Sequence, residues 1–306
     1  MRTRLAAFIA FMENVLGMVR GYSGRMNATK TALVTGASTG IGRATALRLD
    51  RAGFAVFAGV RRSTDAEALA AEGSERLVPV LLDVTDETQI ASAAALITER
   101  SGGGLDALVN NAGIAAAAPL EFVPVDELRH QLEVNVIGQV AVTQAVLPLL
   151  RAARGRIVNV TSIGGLVAGP MLGPYHASKF ALEALTHTMR TELAPWGIEA
   201  IAIEPGQIAT PIWGTASDLA DRMLERMPAE AKELYGRGMA GARKAARNAA
   251  ENGLDPDEVA KVIERALTVK RPRTRYTVGA DARLGATIIA RLPDRTRDRL
   301  LTGRRR

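Results

Sequence analysis

The chain is predicted to fold as a single α/β domain, a doubly wound parallel sheet of about seven strands with helices on both faces and a helical lid. Three observations predict it. From Lys30 onward, short β-branched or apolar runs alternate with Ala- and Leu-rich stretches of helical period, the pattern of successive βαβ units. A glycine-rich segment, Gly36 to Gly42, stands between the first such strand and the first such helix. The length of 306 residues suits one large domain with short extensions better than two full domains.

The predicted strands are Thr31–Thr35, Ala55–Val60, Leu77–Asp83, Ala107–Asn110, Arg156–Thr161, Glu199–Ile203 and Tyr276–Val278. Helical patterns fill the gaps, including Ile41–Ala52, Thr88–Glu99, Val125–Ala152 and Tyr175–Ala194. The last two carry more apolar surface than one sheet face covers, which points to subunit contacts in a homodimer or homotetramer. From Gln207 to Asn252 there is no strand pattern, and the Gly, Met, Arg and Ala-rich pieces predict an inserted helical lid over about 207–252. The organisation expected is therefore an extension at 1–29, the domain at 30–280 and a basic extension at 281–306.

Composition narrows the function. The chain is 47% hydrophobic but 4% aromatic, so the core is expected to be mainly Ala, Val, Leu and Ile. It has no cysteine, which excludes disulfides, thiolate metal sites and a cysteine nucleophile. The three histidines, His130, His176 and His187, are spaced like no zinc motif, and no metal is expected. Of the net charge of +7, residues 1–29 carry +3 and residues 270–306 carry +9, leaving −5 on the body. A nucleic-acid-binding fold needs its basic stripe on the folded body, so nucleic acid is not expected as a partner.

Neither of the longest uncharged stretches, Val134–Leu150 and Ile157–Tyr175, reaches the roughly 20 apolar residues of a membrane-spanning helix, because Asn, Gln, Ser, Gly or Pro interrupt them. Near the N-terminus, Leu5, Phe8, Ile9, Met12, Val15, Leu16 and Val19 share one helical face. That segment reads as an amphipathic interfacial helix, as an upstream start with Met26 the working initiator, or as a signal peptide with no convincing cleavage site. A cytoplasmic location is expected, with peripheral membrane contact through the basic tails as an additional option.

The first strand runs into Thr35-Gly36-Ala37-Ser38-Thr39-Gly40-Ile41-Gly42. Glycines at such a turn let backbone approach a pyrophosphate, and the following helix presents its N-terminal N–H groups to the anion, as in Rossmann-type folds. The spacing G-x-x-x-G-x-G, with Asp83-Val84 after the third strand and Asn110-Asn111-Ala112-Gly113 after the fourth, resembles the short-chain dehydrogenase/reductase family from about Lys30 to Ala280. The resemblance implies a nicotinamide dinucleotide held by Gly36, Ser38, Thr39, Gly40, Ile41, Gly42, Asp83, Val84, Asn111, Ala112 and Gly113. After the sixth strand it implies contacts from Pro205, Gly206, Ile208 and Thr210, the last two at the carboxamide. At the end of the second strand, Val60 stands where an acid would hold the ribose 2′-hydroxyl of NAD. Arg61 and Arg62 follow, and guanidinium there suits the 2′-phosphate, so NADP(H) is favoured over NAD(H).

Thr161-Ser162 ends the fifth strand, and Tyr175-His176-Ala177-Ser178-Lys179 follows thirteen residues later. A Tyr–Lys spacing of four puts both side chains on one helical face. A phenol of ordinary pKa about 10 is a poor base at neutral pH, and a nearby ammonium favours the phenolate. Tyr175 could then exchange a proton with a substrate oxygen that Ser162 holds, while hydride moves at carbon. Ser162, Tyr175 and Lys179 match the family's catalytic set, with Tyr175 and Lys179 also against the cofactor, and Asn135 matches its fourth member, which holds a water leading to the lysine. His176, adjacent to Tyr175 but off its face, is read as structural, and His130 and His187 as packed or solvent-facing.

Pro211, Ile212, Trp213, Met223, Leu224, Met227 and Met239 give the lid an apolar, adaptable surface. The segment Val56-Phe57-Ala58-Gly59-Val60-Arg61-Arg62, with Pro272–Tyr276 and Leu292-Pro293-Asp294, resembles the branch containing retinol and 17β-hydroxysteroid dehydrogenases. That implies a lipophilic alcohol or its carbonyl partner as substrate. The rivals are a 3-oxoacyl thioester reductase, which shares the same four residues, and a non-catalytic NADP-sensing protein, against which the retained Tyr and Lys count.

Overall fold

Seven parallel strands, in the order β3-β2-β1-β4-β5-β6-β7, form the centre of the computed structural model, which describes residues 29–302. In chain order they are β1 (Thr31–Val34), β2 (Ala55–Val60), β3 (Leu77–Leu81), β4 (Ala107–Asn110), β5 (Arg156–Val160), β6 (Glu199–Pro205) and β7 (Arg275–Val278). The doubly wound sheet predicted from the sequence is present, with all seven strands. Side chains alternate across it, as the two-residue period of a strand requires. Ala32 and Val34 of β1 belong to a core layer with Val56, Val109, Val158 and Ile203, while Leu33 belongs to the opposite layer with Phe57, Leu108 and Ile157. Both layers are buried, so the strands read as apolar runs rather than alternating patterns.

The helices that cover the sheet are α1 (Gly40–Arg51), α2 (Ser63–Glu72), α3 (Glu87–Ser101), α4 (Val125–Leu132), α5 (Gly138–Ala153), α6 (Gly173–Glu192), α7 (Ile212–Arg226), α8 (Ala229–Asn252), α9 (Pro256–Thr268), α10 (Ala280–Thr287) and α11 (Asp294–Thr302). On one face α1 and α9 bury Ala46, Leu49, Val259 and Ile263. Arg48 of α1 clamps Asp257 and Glu264 of α9, with Nε 2.9 Å from Asp257 Oδ1 and Nη1 3.1 Å from Glu264 Oε2. On the other face α3 and α5 bury Ile90, Ile97, Val142 and Val146.

The single helix predicted over Val125–Ala152 is three pieces, because a π-helical turn at Glu133–Ile137 separates α4 from α5. By length and composition the stretch Val125–Ala153 could cross a bilayer. Its inner face is instead core, with Val142, Val146 and Leu150 each 1% exposed or less. Outward, α5 and α6 leave apolar groups in water, Ile137 just before α5 at 52% and Phe180 of α6 at 43% exposed. The stretch 281–302 is largely helical, with Ala282 and Gly285 buried. The amphipathic face assigned to residues 5–19 lies outside the described residues, as do residues 303–306.

Candidate active site

The order of strands reverses between β1 and β4, and a cleft of about 260 Å³ opens over the carboxyl ends there. In open α/β sheets this is where the loops diverge and a ligand can enter. At one end lies the glycine loop between β1 and α1. Gly36 has φ +63°, a left-handed conformation that favours glycine, and a Cβ on it would lie 2.8 Å from Ala112 Cα. A Cβ on Gly42 would lie 2.2 Å from the Gly36 carbonyl oxygen, so a side chain there would fill the turn. Thr39 makes no side-chain cap on α1, and the first turn of α1 holds no acid. The helix therefore offers uncapped N–H groups and an uncompensated positive dipole end to the cleft, which suits a phosphate.

The loop is pinned from β4. Thr35 Oγ1 accepts the N–H groups of Asn111 at 2.9 Å and Ala112 at 3.0 Å. Asn111 Nδ2 in turn donates to the carbonyls of Thr35 at 3.0 Å and Gly36 at 3.1 Å. Farther out, Asp83 Oδ1 accepts from the Thr85 backbone N–H at 2.9 Å and from its hydroxyl at 2.7 Å, which turns the chain after β3 into the cleft wall.

Ser162, Tyr175 and Lys179 line the other end of the cleft. Ser162 follows β5, and its Oγ caps the next turn by accepting the Gly164 N–H at 3.0 Å. Tyr175 and Lys179 lie one turn apart on α6, with Lys179 Nζ 5.8 Å from the centre of the Tyr175 ring. Lys179 Nζ donates to the Val160 carbonyl at 2.9 Å. Burial pushes the Lys179 ammonium down to about 8, against the charge of Glu183, which raises it. Burial also pushes the Tyr175 phenol above its ordinary value, opposed by a hydrogen bond with Ser162. The sequence leads one to expect a phenol lowered by its lysine; here burial is the largest influence and raises it, with the Ser162 hydrogen bond the opposing one.

Asn135 sits behind this group, 1% exposed, in the π-helical turn. Its Oδ1 accepts the Ile114 N–H at 2.9 Å, and its Nδ2 donates to the Ile114 carbonyl and to Ser178 Oγ, both at 3.0 Å. Ser178 donates to the Tyr175 carbonyl at 2.7 Å, so the extra residue of the π turn aims Asn135 at both the cleft wall and the helix carrying Tyr175.

Most of the other residues singled out in the sequence meet at this cleft: Ser38, Thr39, Gly40, Ile41, Arg61, Val84, Gly113, Pro205, Gly206, Ile208 and Thr210. Gly42 supports the loop from beneath. Arg62 does not line the cleft; its guanidinium grips Asp65 in the first turn of α2, with Nε at 2.9 Å and Nη2 at 2.8 Å. His176 is buried with both ring nitrogens used, Nε2 accepting the Gly169 N–H at 3.1 Å and Nδ1 2.9 Å from the Gly164 carbonyl. His130, Thr85, Ile114 and Trp213 also line the cleft, and sequence reasoning passed over them in that role. Of these, Thr85 and Ile114, directly after the quoted motifs, carried a signal.

A second cavity of about 230 Å³ lies under α7 and α8 and shares Trp213 with the first. Alanines of both helices line it, together with Met171, Leu172, Met227 and Met239. Tyr175 packs in one cluster with Leu172 and Ala216, both part of that lining. Met171 holds the left-handed conformation at φ +69°, an arrangement that costs about 1 kcal/mol or more and recurs at binding sites.

The family model for short chain dehydrogenases matches residues 30–220. Retinol dehydrogenase 5 of Mus musculus is 36% identical over 300 residues, covering 96% of this chain and 94% of its own. The 17-beta-hydroxysteroid dehydrogenase type 6 of Bos taurus is 37% identical over 283 residues, covering 89% and 88%. A short chain dehydrogenase from Burkholderia cenocepacia J2315, solved in complex with NADP, superposes with a TM-score of 0.68 at 28% identity, covering 89% of this chain and 96% of that one. With the glycine loop, the Asn111 pins and the Ser162, Tyr175 and Lys179 group in one cleft, the chain belongs to the short-chain dehydrogenase/reductase family of NAD(P)-dependent oxidoreductases.

Proposed function

We propose that the protein interconverts a lipophilic alcohol and its ketone or aldehyde, with NADP(H) favoured over NAD(H). One observation carries this: the cleft with the phosphate-ready glycine loop meets the apolar cavity at Tyr175, whose packing partners Leu172 and Ala216 belong to that cavity. A substrate body in the cavity places its oxygen at Tyr175 and Ser162. The cofactor, when bound, supplies or takes up hydride. Ser162 orients the substrate oxygen through its hydroxyl. Tyr175, its phenol raised by burial, is set to donate to that oxygen in the reducing direction. In the oxidising direction Lys179, as ammonium, stabilises the phenolate that takes the proton. Asn135 holds Ile114 and Ser178 and so positions the wall and the Tyr175 helix.

Arg61 supports the cofactor preference, since it lines the cleft beyond Val60 with no acid in that place. The names of the relatives, a retinol and a hydroxysteroid dehydrogenase, agree with a lipophilic substrate. The test is absorbance of reduced nicotinamide with a panel of lipophilic alcohols, ketones and aldehydes. Tyr175→Phe is expected to lower turnover by about 10³-fold or more with its fold intact. Full turnover in that variant would remove Tyr175 from the chemistry.

The same reading places the enzyme at a membrane surface. Leu284, Ile288 and Leu300 are exposed at 50%, 53% and 59%, among exposed Arg283, Arg291, Arg295 and Arg299. Exposed apolar and cationic side chains in one segment suit anionic headgroups over an apolar interior. Co-sedimentation with phosphatidylserine vesicles is expected for the wild type and reduced when Arg291, Arg295 and Arg299 become serine; equal partitioning would sink this part of the reading.

A further inference from the structure

A charge cluster lies beneath Lys179. Glu183, one turn farther along α6, is 6% exposed, and Glu204 of β6 is 2% exposed. One guanidinium serves both: Arg275 of β7 is ion-paired with Glu204 and places Nη1 2.8 Å from Glu183 Oε2. The pocket is closed on the loop side, where a Cβ on Gly165 would lie 3.0 Å from Glu183 Cγ and 2.9 Å from the Lys179 carbonyl oxygen.

Buried carboxylates need compensating charge, and two carboxylates against one guanidinium leave one negative charge over. Lys179, four residues before Glu183 and so on the same face of α6, is the cation at the upper end of the cluster. Lys179 is further faced by the Tyr175 ring on α6 and by the Val160 carbonyl of β5. We propose that Glu183 is a positioning residue for the reaction: its buried carboxylate is the counter-charge that keeps Lys179 an ammonium beside Tyr175, while Arg275 and Glu204 set how much negative charge it presents. The proposal rests on the assignment of Tyr175 and Lys179 as working partners. Two directions agree with it. Burial drives Lys179 towards the neutral amine and the Glu183 charge opposes that. Glu204 is pushed up by burial and then by Glu183, as expected of a pocket holding more negative charge than one guanidinium offsets.

Glu183→Gln keeps the shape of the side chain and leaves one carboxylate with one guanidinium, a balanced pair. Lysine labelled with ¹³C at Cε is titrated by NMR without cofactor, and the Lys179 signal is assigned from the Lys179→Arg spectrum. The Lys179 midpoint is expected about one pH unit lower in Glu183→Gln than in the wild type, and to fall by less in Glu204→Gln. The alkaline limb of the pH profile for alcohol oxidation is expected to move down with it. An unchanged Lys179 midpoint in Glu183→Gln overturns the proposal, as does a shift in Glu204→Gln equal to or larger than that in Glu183→Gln. If Glu183→Gln does not fold, an unmoved midpoint in Glu204→Gln overturns it. Because the NMR titration needs no turnover, a wild type inactive on every panel substrate would fail the functional reading and leave this one standing.

Discussion

Asn135→Ala isolates the frame behind the site from the chemistry in front of it. The substitution removes three hydrogen bonds at once, to the Ile114 N–H, the Ile114 carbonyl and Ser178 Oγ, all between 2.9 and 3.0 Å. A neutral hydrogen bond contributes about 1 kcal/mol net, and a buried group left without a partner costs about 1–3 kcal/mol. Ile114 lines the cleft, so water can reach its freed groups, and Ser178 keeps its bond to the Tyr175 carbonyl. Both moderate the loss, to about 2–3 kcal/mol in all. For a domain of this size that is a fall in Tm of about 4–10 °C, read by calorimetry or by near-UV circular dichroism on heating. Turnover is expected to fall too, because both the cleft wall at Ile114 and the Tyr175 helix are freed. A variant with wild-type Tm and reduced turnover would refute the framing role, and would mean that Asn135 acts on the reaction without holding the wall.

Two further predictions concern single contacts. Arg61→Ala is expected to weaken NADPH binding by about tenfold or more while sparing NADH, because a charge-assisted contact to phosphate contributes about 1.5–3 kcal/mol. Arg62→Ala, whose guanidinium is taken up by Asp65, is expected to change neither; the reverse ranking in calorimetric titration would reassign the selectivity. His176 is held neutral, its pKa pushed down by burial, with Nε2 accepting an N–H that the protonated ring could not satisfy. The unfolded chain takes up that proton first, near pH 6.5, so the contribution is full above that pH and is lost as pH falls through the lower folded value. The wild type is expected to lose Tm between pH 7 and pH 5 more steeply than His176→Gln, and equal slopes would exclude His176 as the group responsible.

The strands and the line of site residues were legible because each depends on local chemistry. A run such as Ala32–Val34 is apolar throughout, and the Tyr175–Lys179 spacing is a statement about one helical turn. What escaped was set by distant partners. Nothing near Glu133 marks the π turn; it becomes intelligible once Asn135 is seen to bridge Ile114 and Ser178, 21 and 43 residues away. Arg61 and Arg62 looked equivalent until Asp65, at the start of helix α2, claimed one of them. His130 carries no pattern of its own and reaches the cleft because α4 packs beside it. The lysine beside Tyr175 was visible in the sequence, but the direction in which the phenol moves is set by burial, a property of the folded chain.

The loop between the two cavities is finished by the far end of the chain. The Gln207 N–H donates to Asp281 Oδ2 at 2.7 Å across a separation of 74 residues, and a Cβ on Gly206 would lie 2.2 Å from that carboxylate. Gly285 in the same helix abuts Ile163, the neighbour of Ser162. A nascent chain on the ribosome thus acquires its glycine loop and most of its sheet long before the stretch that seats Gln207 has been synthesised. The turn beside the site is complete only once the segment around Asp281 has been made, and a chain cut short ahead of Asp281 keeps every motif by which the family is recognised while lacking the contact that sets that turn.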